Sequence, residues 1–492
     1  MNSLLSADGA PLLIGGKLID RGGAGVFSTV NPATEEELGH AADADAADMD
    51  AAIAAARRAF DDTDWSRDHA FRAHCLTQLR TALQDNVEQL REITVAEAGA
   101  PIMFTRGPQL EGPIADLDFA AKLAETYTWE TDLGVAAPMG ISSRRVLRRE
   151  ATGVVGAITP WNFPHQINFA KLGPALAAGN TVVLKPAPDT PWCASAVGRI
   201  IAEHTDIPAG VVNIVTSGDH SLGAQLSSDP RVDMVSFTGS TATGRAVMTA
   251  AAATIKKTFL ELGGKSAAIV LDDADIGAAL GVTAFSVCVH AGQGCALTTR
   301  LLVPRAAYEQ AVQIAATTMG GIVPGDPSAP GTVCGPLISA RQRDRVERYL
   351  AIARDEGGRI VTGGGRPAGR DRGYFIEPTL IADVAPDSTI ATEEIFGPVL
   401  VVIPYDGDDD AIRLANDSPY GLSGAVWGTD PDRIRRVTDG VRTGTLGVNG
   451  GIWYSADAPF GGYKQSGIGR EMGVAGFEEY LETKLIATAE PS

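Results

Sequence analysis

The sequence predicts an α/β protein built on parallel sheet, and three observations carry that expectation. From residue 153 onward short β-rich runs alternate with helical segments, and a second series of the same kind starts near residue 272. The length, 492 residues, calls for two or three domains rather than one core. No internal repeat or low-complexity linker interrupts the pattern.

Taken in order, residues 12–38 read as short strands joined by Gly and Pro turns, an edge meander. Residues 48–60 and 68–98 carry apolar residues at helical spacing and read as two amphipathic helices ending at Gly99-Ala100-Pro101. A further helix is expected over 114–126. The basic run 142–149 reads as a solvated strand face or a subunit contact. In the parallel region strands are expected at 153–158, 181–185, 211–215, 232–237 and either 257–262 or 267–271. Helices at 169–178, 192–204 and 242–253 lie between them. The second unit takes strands at 300–303 and 399–404 with helices near 306–319 and 340–356. Residues 477–487 read as a short helix and a closing strand.

Composition narrows the function classes. With 41 basic and 60 acidic residues the formal charge is −19, which argues against nucleic acid and anionic membranes as partners. Five cysteines (Cys75, Cys193, Cys288, Cys295, Cys334) without CxxC spacing fit reduced thiols and a cytoplasmic location. The start, Met1 to Asp8, has neither a basic region nor a long apolar core, and no later run is long and apolar enough for a bilayer. Seven scattered histidines lack metal-ligand spacing, so no metal is expected.

The stretch that points to chemistry is His290-Ala291-Gly292-Gln293-Gly294-Cys295. Flanking glycines let the backbone pass close to a ligand and leave the sulfur approachable, which makes Cys295 a candidate nucleophile. A buried structural cysteine is the alternative. Asn162, held between Pro160 and Pro164, either aims an N–H at a developing oxyanion or bonds its own turn. Glu261, beside Gly263 and Gly264, is either a general base toward water or an ion-pair partner of Lys265. Lys185 falls at the carboxyl end of a strand, where open α/β sheets bind ligands. Gly239, Ser240 and Gly244 open a helix, which is either a phosphate site at the helix N-terminus or a plain helix start, since the turn is not a GxGxxG fingerprint. Glu393 and Glu394 set two carboxylates before a strand, where either one accepts from ribose hydroxyls beside the apolar wall of Phe396 or both cap or solvate a turn, while Phe460 heads a glycine-rich loop suited to a pocket.

These segments, in this order, resemble the aldehyde dehydrogenase superfamily. The shared motifs are Pro160-Trp161-Asn162-Phe163-Pro164, Leu260-Glu261-Leu262-Gly263-Gly264-Lys265, Gly292-Gln293-Gly294-Cys295, Glu394-Ile395-Phe396-Gly397-Pro398 and Pro459-Phe460-Gly461-Gly462. The resemblance implies a Rossmann-like nucleotide-binding domain (1–127 and 147–261) and a catalytic domain (262–470). An oligomerisation element (128–146 and 471–492) would make homodimers or homotetramers. It also implies oxidation of a small-molecule aldehyde to a carboxylic acid with NAD, NADP being the alternative cofactor. Cys295 would attack the aldehyde, Asn162 would hold the oxyanion, Glu261 would activate water, and Lys171 matches a lysine near the active site. Trp161, Lys185, Gly239, Ser240, Gly244, Glu394 and Phe396 would bind the cofactor, and Phe163, Tyr454, Asp457 and Phe460 would line the substrate pocket.

The sequence departs from the family pattern at three places. Pro188 stands where many members carry a Glu that binds the adenosine ribose, His290 replaces a frequent Asn, and Ala170 replaces a large aromatic found in some relatives. Aromatic walls with Asp457 suggest a cationic aminoaldehyde. Rival readings are a thiol esterase or amidase, for which no His and Asn partnership is evident, and a CoA-acylating enzyme, which Glu261 argues against. A catalytically silent member is the third, and the joint presence of Cys295, Asn162 and Glu261 argues against it.

Overall fold

The structure, a computed structural model, describes Leu4 and residues 9–490. Apart from Leu4, the N-terminal reading of Met1 to Asp8 falls outside the described residues, as do the last two residues of the 471–492 segment.

Two large sheets organise the chain. The first has eight strands in the order Gly467–Ile468, Lys257–Glu261, Met234–Thr238, Val154–Ile158, Thr181–Lys185, Val212–Ile214, Leu12–Ile14 and Lys17–Ile19. Its five strands from Lys257–Glu261 to Val212–Ile214 are parallel and mostly buried, as near-continuous apolar runs such as Val-Val-Leu require. Strand order reverses at Val154–Ile158, whose neighbours on either side are Thr181–Lys185 and Met234–Thr238, so a crevice opens at their carboxyl ends. The second sheet has seven strands, with Ala267–Val270 between Arg300–Pro304 and Gly424–Trp427. A three-stranded sheet of Glu130–Ala136, Ser143–Ala151 and Leu481–Ala489 stands apart.

The two strand candidates at 257–262 and 267–271 are therefore both strands, one in each large sheet. The chain crosses between the sheets at Leu262 to Ser266, and this crossing positions the site. The expected edge meander divides in two: Leu12–Ile14 and Lys17–Ile19 extend the first sheet, while Gly25–Val30 and Glu37–Asp43 form a separate pair. The expected single helix over 68–98 is broken into His69–Asp85 and Val87–Ala98. Asn86 stops the first piece by turning its side-chain amide and its own N–H back onto the Ala82 carbonyl. The second piece ends as expected at Gly99, in the left-handed region at φ 63°. Among the described residues no helix is long and apolar enough to cross a membrane.

Candidate active site

The helix Ile276–Cys288 carries apolar residues all round and gives no amphipathic signal in the sequence. It delivers the chain into the cysteine loop. Beyond it His290, Ala291 and Gly292 take positive φ values of 48°, 53° and 72°. The sequence pointed to glycines 292 and 294 for such backbone, but two of the three residues carry Cβ atoms. Each costs of order 1–2 kcal/mol, offset by a dense set of bonds. The Gln293 side chain donates to the carbonyls of His290 and Pro336 and accepts from the Ile338 N–H. His290 Nε2 lies 2.9 Å from the carbonyl oxygen of Asn162, and the Gln109 amide donates to the same oxygen at 3.1 Å. At Gly292 an added Cβ would fall 2.2 Å from the Gly397 carbonyl, so this position is closed to any side chain.

Cys295 comes out of this loop half-buried, while the other four cysteines are buried. Asn162 is 4% exposed and donates from its side chain to the Gln293 carbonyl at 2.9 Å, which leaves the second amide hydrogen free. Asn162, Cys295 and Glu261 line one cavity of about 200 Å³.

Glu261 ends the strand Lys257–Glu261, 1% exposed, with neither carboxylate oxygen hydrogen-bonded. The ion pair with Lys265 does not form: Lys265 is itself buried with an unpartnered Nζ, and burial lowers it to about 7. Burial, reinforced by the nearby Glu471 charge, holds Glu261 well above the usual carboxylate range. Burial likewise pushes the Cys295 thiol well above its ordinary value, with Glu261, Glu394 and Glu471 adding to the effect. Lys171 does not line this cavity. It is buried behind it, 3.0 Å from Glu471 and 3.1 Å from the Ser236 hydroxyl. The glycines after Glu261 have distinct jobs: a Cβ on Gly263 would meet the Glu394 carboxylate at 2.3 Å, and one on Gly264 the Cys295 carbonyl at 2.9 Å.

Trp161, Gly239, Ser240, Glu394 and Phe396 line the same cavity as Cys295. A second cavity of about 490 Å³ shares Pro160, Trp161, Thr238, Gly239 and Ser240 with it and reaches Lys185, Pro188 and Asp189. The two form a groove along the carboxyl ends of the parallel strands. Burial lowers Lys185 to about 8. Glu394 accepts from the Gly264 N–H at 3.0 Å through one oxygen, leaving the other for hydroxyl groups. Trp161 and Phe396 meet edge to face at 5.4 Å. Gly244 departs from expectation: it lies buried in the helix Thr241–Ala251 against Leu262, where a Cβ would fall at 2.6 Å, and serves helix–strand packing. Gln342 and Arg345 also line the cavity and were not expected. They come from the helix Ala340–Asp355, whose charged sequence reads as an ordinary solvated face, and they donate to the carbonyls of Phe396 and Glu394.

On the other side lies an apolar cavity lined by Leu117, Phe169, Ala170, Tyr454 and Phe477 among others. Tyr454 stands where the sequence put it. Phe460 instead stacks on Trp453 at 5.2 Å, and Phe163 turns its ring toward His290. Asp457 is exposed and takes the Ser455 hydroxyl, and the carboxylate in the cavity wall belongs to Asp116. The loop after Phe460 braces the site from behind, with the Ser466 hydroxyl donating to the Gly263 carbonyl at 2.7 Å.

Comparison with known proteins agrees with this arrangement. The aldehyde dehydrogenase family model matches residues 19–486. A geranial dehydrogenase of Castellaniella defragrans is 40% identical over 485 residues, covering 98% of this chain and 99% of that one. A Mycobacterium tuberculosis aldehyde dehydrogenase complexed with NAD+ superposes with a TM-score of 0.92 at 43% identity, covering 97% of each chain. A mutant of Pseudomonas syringae aldehyde dehydrogenase C, in complex with NAD+ and octanal, gives 0.92 at 38% identity, covering 97% of this chain and 96% of that one. With an approachable thiol, an amide donor and a buried carboxylate meeting at the end of a nucleotide-sized groove, and with similarity across nearly its whole length, this chain belongs to the aldehyde dehydrogenase family.

Proposed function

We propose that the protein oxidises an aldehyde to the carboxylic acid with NAD, the aldehyde carbon bonding to Cys295 and the resulting acyl group leaving to water activated by Glu261. The observation that carries this reading is the shared cavity of Cys295, Asn162 and Glu261 at one end of the groove. The groove fits the cofactor: Lys185 and the second oxygen of Glu394 would take ribose hydroxyls, the opening of the helix Thr241–Ala251 would face the pyrophosphate, and Trp161 and Phe396 would wall the nicotinamide. When bound, NAD supplies the hydride acceptor.

The residues of the chain do the rest. The Cys295 thiol gives up its proton to solvent, and the sulfur attacks the carbonyl carbon. The free amide hydrogen of Asn162 and the Cys295 backbone N–H stabilise the oxyanion of the thiohemiacetal. Loss of hydride leaves a thioester on Cys295. Glu261 takes a proton from water, and the hydroxide displaces the thiolate and releases the acid. Lys171, paired with Glu471 behind the cavity, holds positive charge near Glu261.

The sheets suggest the division of labour: the eight-stranded sheet, apart from its edge strand Gly467–Ile468, falls in the nucleotide-binding domain of 1–127 and 147–261, and the seven-stranded sheet in the catalytic domain of 262–470. The three-stranded sheet exposes Leu133, Val135 and Leu485, and the turn beside it Met139 and Ile141, as a homodimer or homotetramer contact of 128–146 and 471–492 would require. The free thiols suit the cytoplasm. Pro188 in place of the ribose-binding Glu removes one repulsion against a 2′-phosphate; Asp189, ion-paired with Arg341 at 3.6 Å, is the acidic group left there, and its charge favours NAD over NADP. NADH formation with an aldehyde panel tests the reading: wild type gives a signal with NAD and Cys295→Ala gives none. Equal rates in the two proteins would overturn it.

A further inference from the structure

Glu97 occupies the last turn of the helix Val87–Ala98 and is fully buried. A carboxylate there stands against the dipole of its own helix and out of water, and among the described residues no cationic side chain pairs with it. Its partners lie on another helix. One oxygen accepts from the Trp192 N–H at 2.7 Å and from the Thr29 hydroxyl at 3.3 Å, and the other accepts from the Cys193 N–H at 2.8 Å. Trp192 and Cys193 are the second and third residues of the helix Pro191–His204, whose first N–H groups find no acceptor within the helix itself. Thr190, the residue at the cap position, makes no capping bond, and its buried hydroxyl has no partner. Glu97 therefore caps this helix from 95 positions away.

The capped end closes a stiff segment. Lys185, Pro186, Ala187, Pro188 and Asp189 line the larger cavity of the groove one after another. From Lys185 to Pro191 every residue except Asp189 is a proline or stands before one, which leaves the backbone little torsional freedom. The Thr190 N–H adds a turn by donating to the Ala187 carbonyl at 3.2 Å. The near end of the segment is fixed in the buried strand Thr181–Lys185, and the far end is fixed by Glu97. A shift at the capped end passes directly into the wall of the groove.

We propose that Glu97 is a positioning residue for the cofactor: by capping the helix Pro191–His204 it sets the wall from Pro186 to Asp189 beside which NAD lies. The proposal rests on the NAD-dependent reading above and adds to it a residue that lines neither cavity of the groove.

Two variants test it. Glu97→Gln keeps the size of the side chain but sets an amide N–H against a backbone N–H. Glu97→Asp keeps the charge but loses the reach to both N–H groups. The Kd for NAD, measured by titration calorimetry below the melting temperature of each protein, is expected to rise about tenfold in Glu97→Gln and about threefold or more in Glu97→Asp. KM for NAD follows, while kcat at saturating NAD stays within about twofold, because Cys295, Asn162 and Glu261 lie in the other cavity. A wild type that does not bind NAD would overturn this proposal together with the reading beneath it. NAD binding by wild type with an unchanged Kd in both variants, whatever their melting temperatures, would overturn this proposal alone. So would a rise confined to Glu97→Gln, since the charge and not the cap would then be acting. Should Glu97→Gln fail to fold, Glu97→Asp decides, and a wild-type Kd in that variant overturns the proposal.

Discussion

At the scale of single residues the site is governed by burial. Cys295 and Glu261 are both held toward their protonated forms, by loss of water first and by neighbouring carboxylates second. Raising pH therefore generates the thiolate and the base together, so kcat/KM, which reports the free enzyme, is expected to climb as pH rises above neutral. A profile that is flat or falling over that range would contradict the electrostatics described here. The residues proposed to carry the chemistry stood out in the sequence because each sits in a short contiguous motif, and the structure brings Cys295, Asn162 and Glu261 into one cavity. His290 did not: its part in holding the Asn162 carbonyl depends on a contact across 128 positions of sequence. Asp457 was misplaced for the same reason, since nothing local tells an exposed acid from one in a cavity wall.

At the scale of elements, glycines set how closely the two sheets approach. Gly263 lies in the crossing from Lys257–Glu261 to Ala267–Val270, directly against the Glu394 carboxylate. Gly263→Ala is expected to displace Glu394 and raise KM for NAD about tenfold, while thermal denaturation changes little. An unchanged KM would show that Glu394 does not contact the cofactor. The parallel strands were readable because buried strands are apolar runs of Val, Ile and Leu between turn residues. The break at Asn86 was not, since apolar spacing continues across it and only a side-chain bond to Ala82 stops the helix. The helix Ile276–Cys288 escaped because apolar residues such as Val282 and Phe285 also stand on its exposed face, which leaves no period to read.

At the scale of the whole molecule, function arises where the two sheets meet. The groove runs along one sheet, the Cys295 loop leads into a strand of the other, and the segment 460–468 returns from the second sheet to pair with the strand bearing Glu261. This meeting was legible only in part. Motif order identified the family, but Gln342, Arg345 and Asp116 reach the cavities from helices distant in sequence whose local patterns are those of ordinary surfaces. The central claim is that one side of this junction forms an acyl thioester on Cys295 and the other, through Glu261, hydrolyses it. Glu261→Gln separates the two steps. Mixed with NAD and octanal, the variant is expected to form about one NADH per subunit and then stall, with the intact mass raised by an octanoyl group located on the Cys295 peptide. Steady turnover at the wild-type rate, or NADH formation without an adduct on Cys295, would contradict the account.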